Sequence, residues 1–130
     1  MWTVKKCANL NGADQYGKRQ YPEKFIPKAI IRGFLGMEVP VYGSGNQQRN
    51  WIYVKDLVKV VKRLTKEGKR GEVYNISGEN VKTNSEILDA ISKYIPLKLK
   101  HVDDRPGHDI AYKMKNTKIQ FKNPISMIFR

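Results

Sequence analysis

The first segment of this chain with helical spacing of apolar residues lies near residue 30. The residues that recur there, three or four positions apart, are Phe25, Ile26, Ala29, Ile30 and Phe34. This spacing predicts a helix, and Pro27 is compatible with it only in the first turn, because proline lacks the N–H that later positions need. Gly36 is well placed to end the helix, since glycine readily adopts the left-handed backbone conformation.

The clearest helix is predicted over residues 54–66. Its apolar stripe consists of Val54, Leu57, Val58, Val61 and Leu64. The opposite side carries Lys55, Lys59, Lys62 and Lys66. An apolar stripe opposite a charged one is typical of a helix that packs one face on a core and solvates the other.

A third helix is predicted from the segment Thr83-Asn84-Ser85-Glu86, which has the pattern of a capping box. In that motif the Thr83 hydroxyl accepts a hydrogen bond from the amide of the third helical residue, and the Glu86 carboxylate reaches back to the Thr83 amide. The helix that follows is expected to bury Ile87, Leu88, Ile91 and Ile95.

Strands are predicted between these helices from β-branched and alternating residues. The expected strands are residues 2–8, 39–42, 72–77 and 97–102, with a polar loop from residue 8 to about Tyr21 and a Gly-Ser-Gly turn after Tyr42. Residues 97–102 alternate as a half-buried strand does. Mixed strands and helices without an uninterrupted βαβ series favour an α/β fragment or a small α+β layer.

Composition narrows the class of protein. A chain of 130 residues with 40% apolar residues supports one small domain with a modest core. The formal net charge of +13 favours anionic ligands, but the 25 basic residues are spread along the chain rather than clustered as in a nucleic-acid-binding surface. The single cysteine, Cys7, excludes an internal disulfide, and no Cys/His spacing suggests zinc.

The distribution of apolar residues also bears on localisation. No apolar run approaches the length of a membrane span, and residues 1–6 have no apolar signal-peptide region. We therefore expect a cytoplasmic protein with no membrane partner.

Three motifs follow one another in a characteristic order. They are Tyr21-Pro22-Glu23-Lys24-Phe25-Ile26-Pro27, Val41-Tyr42-Gly43-Ser44-Gly45-Asn46-Gln47-Gln48-Arg49-Asn50-Trp51 and Asp104-Arg105-Pro106-Gly107-His108-Asp109. Together they resemble the carboxy-terminal, sugar-nucleotide-binding part of the dTDP-glucose 4,6-dehydratase family, which belongs to the NAD-dependent epimerases and dehydratases and to the extended short-chain dehydrogenases/reductases. The resemblance is good over residues 22–109 and poor outside them.

The resemblance implies a set of substrate-binding residues. In the family these contact the sugar nucleotide, its base or its diphosphate, and they correspond here to Glu23, Lys24, Pro40, Tyr42, Arg49, Asn84, Arg105 and His108. The residue types suit the task, because guanidinium groups match phosphate oxygens and an aromatic ring offers a face to a base. Phe25 and Asn50 replace the usual Leu and Asp of the family.

The register of residues 7–21 has two solutions. One aligns Cys7-Ala8-Asn9-Leu10-Asn11-Gly12-Ala13 with the family segment Cys-Ser-Asn-Asn-Tyr-Gly-Pro, and it makes Asn9 a further candidate substrate ligand. The other aligns Asp14-Gln15-Tyr16-Gly17-Lys18 with the same segment, without an insertion but with both asparagines lost. We prefer the first, which retains Cys7, Asn9 and Gly12.

The resemblance also implies an architecture. The fold class is α/β, a fragment of a Rossmann-type extended short-chain dehydrogenase/reductase that consists mainly of the small mixed α/β substrate-binding domain. Residues 1–21 would be a residual strand and loop of the Rossmann portion, residues 22–112 the sugar-nucleotide-binding domain, and residues 113–130 a diverged tail.

The family's chemistry is expected to depend on residues outside this sequence. NAD is the family cofactor, but no glycine-rich dinucleotide fingerprint and no Tyr-x-x-x-Lys catalytic pair is expected here, so we expect no NAD bound by this chain alone and assign no catalytic residue. The expected partner is a nucleotide-diphosphate sugar, linked to dTDP or UDP. A separate Rossmann-domain chain or self-association would cover the exposed opening strand.

The hypotheses for function differ in what the chain retains. The first is a truncated dehydratase-like protein with part of its nucleotide-sugar site. The alternatives are an inactive remnant and, less favoured, a basic nucleic-acid-binding module, whose mark would be binding that weakens steeply with salt.

Overall fold

The chain forms two compact units that are each discontinuous in sequence. The structure, a computed structural model, describes residues 2–4, 8–78, 81–104, 106–107 and 111–112. Among these, the first unit contains the residues up to Gly17 and Asn50–Val81, and the second contains Lys18–Arg49 and the described part of Lys82–Tyr112. The functional division expected at residues 22 and 113 stays a prediction.

Helices and strands alternate irregularly along the chain. In order they are β1 Trp2–Val4, β2 Ala8–Gly12, β3 Asp14–Tyr16, α1 Phe25–Phe34, β4 Glu38–Tyr42, β5 Gln48–Tyr53, α2 Val54–Glu67, β6 Glu72–Ile76, β7 Val81–Thr83, α3 Asn84–Ser92, β8 Lys98–Val102 and β9 Ala111–Tyr112. This mixture confirms the expected α/β class. Within the described residues, no helix is both long enough and apolar enough to span a bilayer.

The strands of the first unit pair mostly in parallel. Strand β2 lies between β1, which is antiparallel to it, and β6, which is parallel to it and places Tyr74 opposite Leu10. Strand β3 pairs in parallel with β5, so that Tyr16 lies opposite Tyr53 with their ring centroids 5.5 Å apart. The pKa of Tyr16 is raised, mainly because the side chain is partly buried and secondly because the negative charge of Asp56 lies nearby.

The polar loop expected from residue 8 to Tyr21 is partly wrong, because β2 and β3 lie within it. Asparagine, glycine and aspartate, which make up half of these two strands, have a low propensity for β-strands. They form strands because β6 and β5 supply hydrogen-bonding partners for the backbone, and such pairing overrides local propensity.

Helix α2 packs against strands of two sheets in the first unit and forms a core with them. The clustered buried side chains are Ala13, Ile52, Leu57, Val60, Leu64, Tyr74 and Ile76. The helix is confirmed, but its predicted stripe is wrong at one position: Val58 is 58% exposed, whereas Val60 is 2% exposed. The helix is rotated so that residues 57, 60, 61 and 64 face the core, which is the i, i+3, i+4, i+7 pattern.

Helix α1 of the second unit is confirmed, with Pro27 in its first turn. Its end is a Schellman motif, in which the Gly36 amide donates to the Gly33 carbonyl at 3.1 Å and the Met37 amide donates to the Arg32 carbonyl at 2.9 Å. Gly36 has a φ of 65°, as the predicted helix end requires. This sharp stop reverses the chain into β4.

The second unit is built from α1, α3 and the parallel pair β4–β8, with α1 packed against both β4 and α3. Its buried apolar side chains are Ala29, Val39, Val41, Ile87, Leu88 and Ile91. The capping box of α3 is confirmed in both directions. The half-buried character expected of residues 97–102 is wrong, because β8 is almost wholly exposed and Leu99 is 46% exposed. Ile95 lies beyond the end of α3.

Candidate functional site

Polar residues converge where β4 and β8 end in the second unit. The two strands run in parallel, with Tyr42 opposite Val102, so the segments that leave their carboxyl ends emerge at the same edge. The Gly43 amide donates a hydrogen bond to the Val102 carbonyl at 2.9 Å and holds the two exits together. In parallel sheets, ligands bind preferentially at this edge.

Gln47 lies at the centre of this convergence. Its side chain is buried, with 5% exposure. The side-chain Nε2 donates to the Tyr42 carbonyl at 3.0 Å and to Oδ2 of Asp104 at 3.2 Å. One amide therefore joins the end of β4 to the segment that follows β8.

The first turn of α3 joins the same group of residues. The backbone N–H of Asn84 donates to the backbone carbonyl of Gln47 at 3.2 Å. The side chains are also joined, because Nδ2 of Asn84 donates to Oε1 of Gln47 at 3.4 Å. The next residue, Ser85, donates to the Gly45 carbonyl from both its amide and its hydroxyl. We call Tyr42, Gln47, Asn84 and Asp104 the Gln47 cluster.

Two of the predicted site residues belong to this cluster, and two more lie on the strands beside it. Tyr42 and Asn84 are members. Pro40 lies two residues before Tyr42 in β4, opposite Lys100 of β8, and Arg49 lies two residues after Gln47 in β5, opposite Tyr112 of β9. Both side chains are partly exposed.

Glu23 and Lys24 precede α1 and are both exposed. The Lys24 amide donates to the Tyr21 carbonyl at 3.0 Å, and the Lys24 carbonyl accepts from Lys28, as expected at a helix start. Among the residues that the structure describes, no hydrogen bond or ion pair joins either side chain to the Gln47 cluster. Their role as substrate ligands stays a prediction.

Three predicted residues have no described side chain. Arg105 and His108 lie outside the described residues. Asn9 lies within β2 of the first unit, where its backbone pairs with Val73 of β6. Its assignment as a ligand, and the choice between the two registers, stay predictions.

Several residues of the site were missed by sequence reasoning. These are Gln47, Ser85, His101 and Asp104, of which His101 contacts the Gly43 carbonyl through Nδ1 at 2.9 Å. Since a carbonyl oxygen accepts but does not donate, Nδ1 carries the proton in this contact. Gln47 and Asp104 do lie inside quoted motifs, but residue type alone does not distinguish a buried Gln from an exposed one.

The Tyr-x-x-x-Lys spacing of the family's catalytic pair occurs once in the sequence. Tyr94 and Lys98 are four residues apart. However, α3 ends at Ser92, and Lys98 begins β8. Residues at i and i+4 share a face only on a helix, so these two do not form the catalytic arrangement.

The cluster consists of amides, backbone groups and one carboxylate, which suits recognition of a polar ligand by hydrogen bonds. Within the described part of the chain, no group of three or more His, Cys, Asp or Glu residues is arranged to hold a metal ion. The turn after β4 contains Gly43-Ser44-Gly45 but leads into strand β5. It therefore lacks the helix N-terminus of a dinucleotide cradle, and these residues do not fit NAD in that way.

Comparisons with known proteins show which family the chain resembles. The chain is 38% identical over 132 residues to dTDP-glucose 4,6-dehydratase of Neisseria gonorrhoeae, and the match covers 90% of the chain and 36% of that protein. It is 39% identical to the enzyme of the same name from Streptomyces niveus, with 90% and 34% covered. The chain thus spans about a third of the length of these curated relatives.

Solved structures show the same fold. The crystal structure of dTDP-glucose 4,6-dehydratase from Bacillus anthracis in complex with NAD matches with a TM-score of 0.78 and 34% identity, over 84% of this chain and 35% of that one. UDP-glucose 4-epimerase from Thermotoga maritima with UDP-glucose matches with a TM-score of 0.78 and 25% identity, over 85% and 37%. These neighbours confirm the expected likeness to Rossmann-type extended short-chain dehydrogenases/reductases.

The family assignment rests on a match over more than half of the chain. Residues 2–77 match the model of the NAD dependent epimerase/dehydratase family. This segment includes β1–β6 and both α1 and α2. The chain belongs to the NAD-dependent epimerase/dehydratase family.

Proposed function

We propose that this chain is the sugar-nucleotide-binding, carboxy-terminal part of a dTDP-glucose 4,6-dehydratase-like protein. The ligand is a nucleotide diphosphate joined to a sugar, and the binding segments are those that meet at the carboxyl ends of β4 and β8. The observation that carries the proposal is the Gln47 cluster, because it brings Tyr42 and Asn84 together with Asp104, the residue before Arg105.

The roles of the individual groups follow from their chemistry. Tyr42 and Pro40 offer apolar faces to the base. Asn84 offers a side-chain amide to polar groups of the ligand. Arg49 and Arg105 offer guanidinium groups to the diphosphate. Glu23 and Lys24 serve the sugar side, and His108 is a further ligand. Asn9 is a candidate ligand on the family resemblance alone. The net charge of +13 favours approach of the anionic ligand.

The relatives support the substrate class. Two curated relatives are named for dTDP-glucose, and a structural neighbour was crystallised with UDP-glucose. Both ligands contain a pyrimidine base, a pentose and a diphosphate, and the proposed residues address the base and the diphosphate. The related enzyme of Bacillus anthracis was solved with NAD.

This chain's residues contribute recognition and positioning of the substrate, and we assign none of them to hydride transfer. In the family reaction NAD itself accepts the hydride. A Rossmann domain, on a separate chain or in a longer protein, would supply the cofactor and the catalytic groups. A second copy of this chain is the alternative partner for the opening strand.

Isothermal titration calorimetry with dTDP, UDP and NAD tests the proposal. We expect saturable binding of dTDP or UDP, and weaker binding in Arg49→Ala, because loss of a guanidinium–phosphate contact removes a charge-assisted hydrogen bond. Arg70→Ala is the matched control, since Arg70 is exposed in a turn of the first unit and its loss changes the net charge equally. Arg49→Lys keeps the positive charge but removes the planar guanidinium group, so it separates the contribution of charge from that of the paired hydrogen bonds.

The outcomes decide the proposal. Binding that falls in Arg49→Ala and persists in Arg70→Ala supports it. A folded chain that gives no heat with dTDP or UDP overturns it. An equal loss of affinity in Arg49→Ala and Arg70→Ala would also overturn it, because the binding would then depend only on nonspecific charge attraction.

A further inference from the structure

Gln47 was not among the predicted ligands, yet its side chain makes hydrogen bonds to the three other members of the Gln47 cluster. A side-chain amide has two N–H donors and one carbonyl acceptor. Nε2 of Gln47 makes two donations, to Tyr42 and Asp104, and Oε1 accepts from Asn84. These three contacts use both kinds of group and fix the amide's orientation.

Each contact reaches a different binding segment. Tyr42 ends β4, Asn84 begins α3, and Asp104 follows β8 and precedes Arg105. Gln47 itself lies two residues before Arg49 and immediately before the first residue of β5. A shift of this one side chain would therefore displace the groups proposed for the base, the amide contact and the diphosphate together.

We propose that Gln47 is the positioning residue of the nucleotide-diphosphate site, which holds the three binding segments in register without contacting the ligand. The inference rests on the proposed function for its ligand. The inference goes beyond the proposed function because it assigns the positioning of the ligand-binding residues to Gln47, a buried side chain that does not itself contact the ligand.

No isostere replaces Gln47 in these contacts. A glutamate at this position has the same shape, but its carboxylate would face the Asp104 carboxylate and the Tyr42 carbonyl, which are both acceptors. A methionine fills a similar volume but cannot make the three side-chain hydrogen bonds to Tyr42, Asn84 and Asp104. Both substitutions should therefore loosen the segments while the apolar core of the unit stays intact.

The first test measures dTDP binding by calorimetry in the wild type, Gln47→Glu, Gln47→Met and Asn46→Asp, at a temperature where thermal melts show every variant folded. We expect both Gln47 variants to bind dTDP about tenfold more weakly, which corresponds to the loss of about one hydrogen bond. Asn46→Asp is the matched control, because it adds the same charge at the exposed neighbouring residue.

A double-mutant cycle separates positioning from general destabilisation. The losses in Gln47→Met and Asn84→Ala should not be additive, since both remove the same contact between Gln47 and Asn84. Full additivity would mean that Gln47 does not act through Asn84, and it would overturn the proposal.

The second test needs no ligand. Amide hydrogen exchange should accelerate about tenfold or more at Gly43 and Ser85 in Gln47→Met, because their partners, Val102 and Gly45, lie in the segments that Gln47 joins. Exchange at Ile91, in the core of α3, should stay as in the wild type.

The two proposals fail separately. If the wild type binds dTDP and Gln47→Glu binds it as tightly as Asn46→Asp does, the positioning role is wrong and the proposed function stands. If the folded wild type binds neither dTDP nor UDP, the proposed function is wrong, and the role of Gln47 in a nucleotide site falls with it. Unchanged exchange at Gly43 and Ser85 overturns the positioning role whatever the binding.

Discussion

Ser85 donates two hydrogen bonds to the same acceptor, the carbonyl of Gly45, from its amide at 3.0 Å and from its hydroxyl at 3.2 Å. The contact joins the first turn of α3 to the turn after β4, across 40 positions of sequence. It also explains why residue 45 is glycine. The backbone there has a φ of 74°, and a Cβ would collide with the Ser85 hydroxyl oxygen.

Gly45→Ala should therefore destabilise the chain by about 2–3 kcal/mol, from backbone strain and steric overlap together. Gly36→Ala is the matched control, because Gly36 also has a positive φ of 65° but has no atom within 4 Å of the added Cβ. That variant should lose only the strain, about 1–2 kcal/mol. Urea unfolding of both variants measures the difference, and equal losses would contradict the steric argument.

Thr83→Ala should cost about 1 kcal/mol of unfolding free energy, because the hydroxyl that accepts from the Glu86 amide at 3.1 Å is lost. Thr83→Ser keeps a hydroxyl in the same place and should retain most of the stability. Thermal and urea unfolding of the two variants check this. A Thr83→Ser variant as unstable as Thr83→Ala would argue against the capping interaction as the cause.

The other half of this capping box gives a pH dependence. The Thr83 amide, which donates to the Glu86 carboxylate at 2.7 Å, and then the nearby Lys82 ammonium lower the pKa of Glu86 from its ordinary value of 4.5. A lowered folded-state pKa gives stability that is fully present above the unfolded-state pKa and is lost as the pH falls through the folded-state value.

The free-energy difference between wild type and Glu86→Gln should therefore be constant above about pH 5.5 and shrink as the solution is acidified below pH 4.5. Glutamine is the right comparison, because it can still reach the Thr83 amide but does not titrate. An NMR titration of the Glu86 carboxyl gives the pKa directly. In Lys82→Ala it should remain lowered, since the backbone hydrogen bond is the larger cause.

The parts of the fold that were predicted correctly depend on residues close in sequence. The capping box links Thr83 to a residue three positions away, and the Schellman end of α1 depends on Gly36 and its immediate neighbours. Such interactions are visible in residue types at fixed spacing. Two residues of the family motifs, Tyr42 and Asn84, both contact Gln47, while their role as ligands stays a prediction.

The parts that escaped prediction depend on distant pairing. Gln47 contacts Asn84 across 37 positions and Asp104 across 57. Strands β2 and β3 form against β6 and β5, although their own residues are mostly polar. No local pattern carries this information, because the hydrogen-bonding partner and the burial are both set by the tertiary fold.

Helix α2 gives a quantitative test of the same point, since spacing predicted the helix but placed Val58 rather than Val60 in its stripe. Val60→Ala should destabilise the chain by about 2 kcal/mol, because it removes buried methyl groups and leaves a cavity against the first unit's core. Val58→Ala makes the same chemical change two residues earlier at a side chain that is 58% exposed, and it should change the unfolding free energy by less than about 0.5 kcal/mol. Urea unfolding compares the two directly. Equal effects, or a larger loss at Val58, would contradict the orientation of the helix described here.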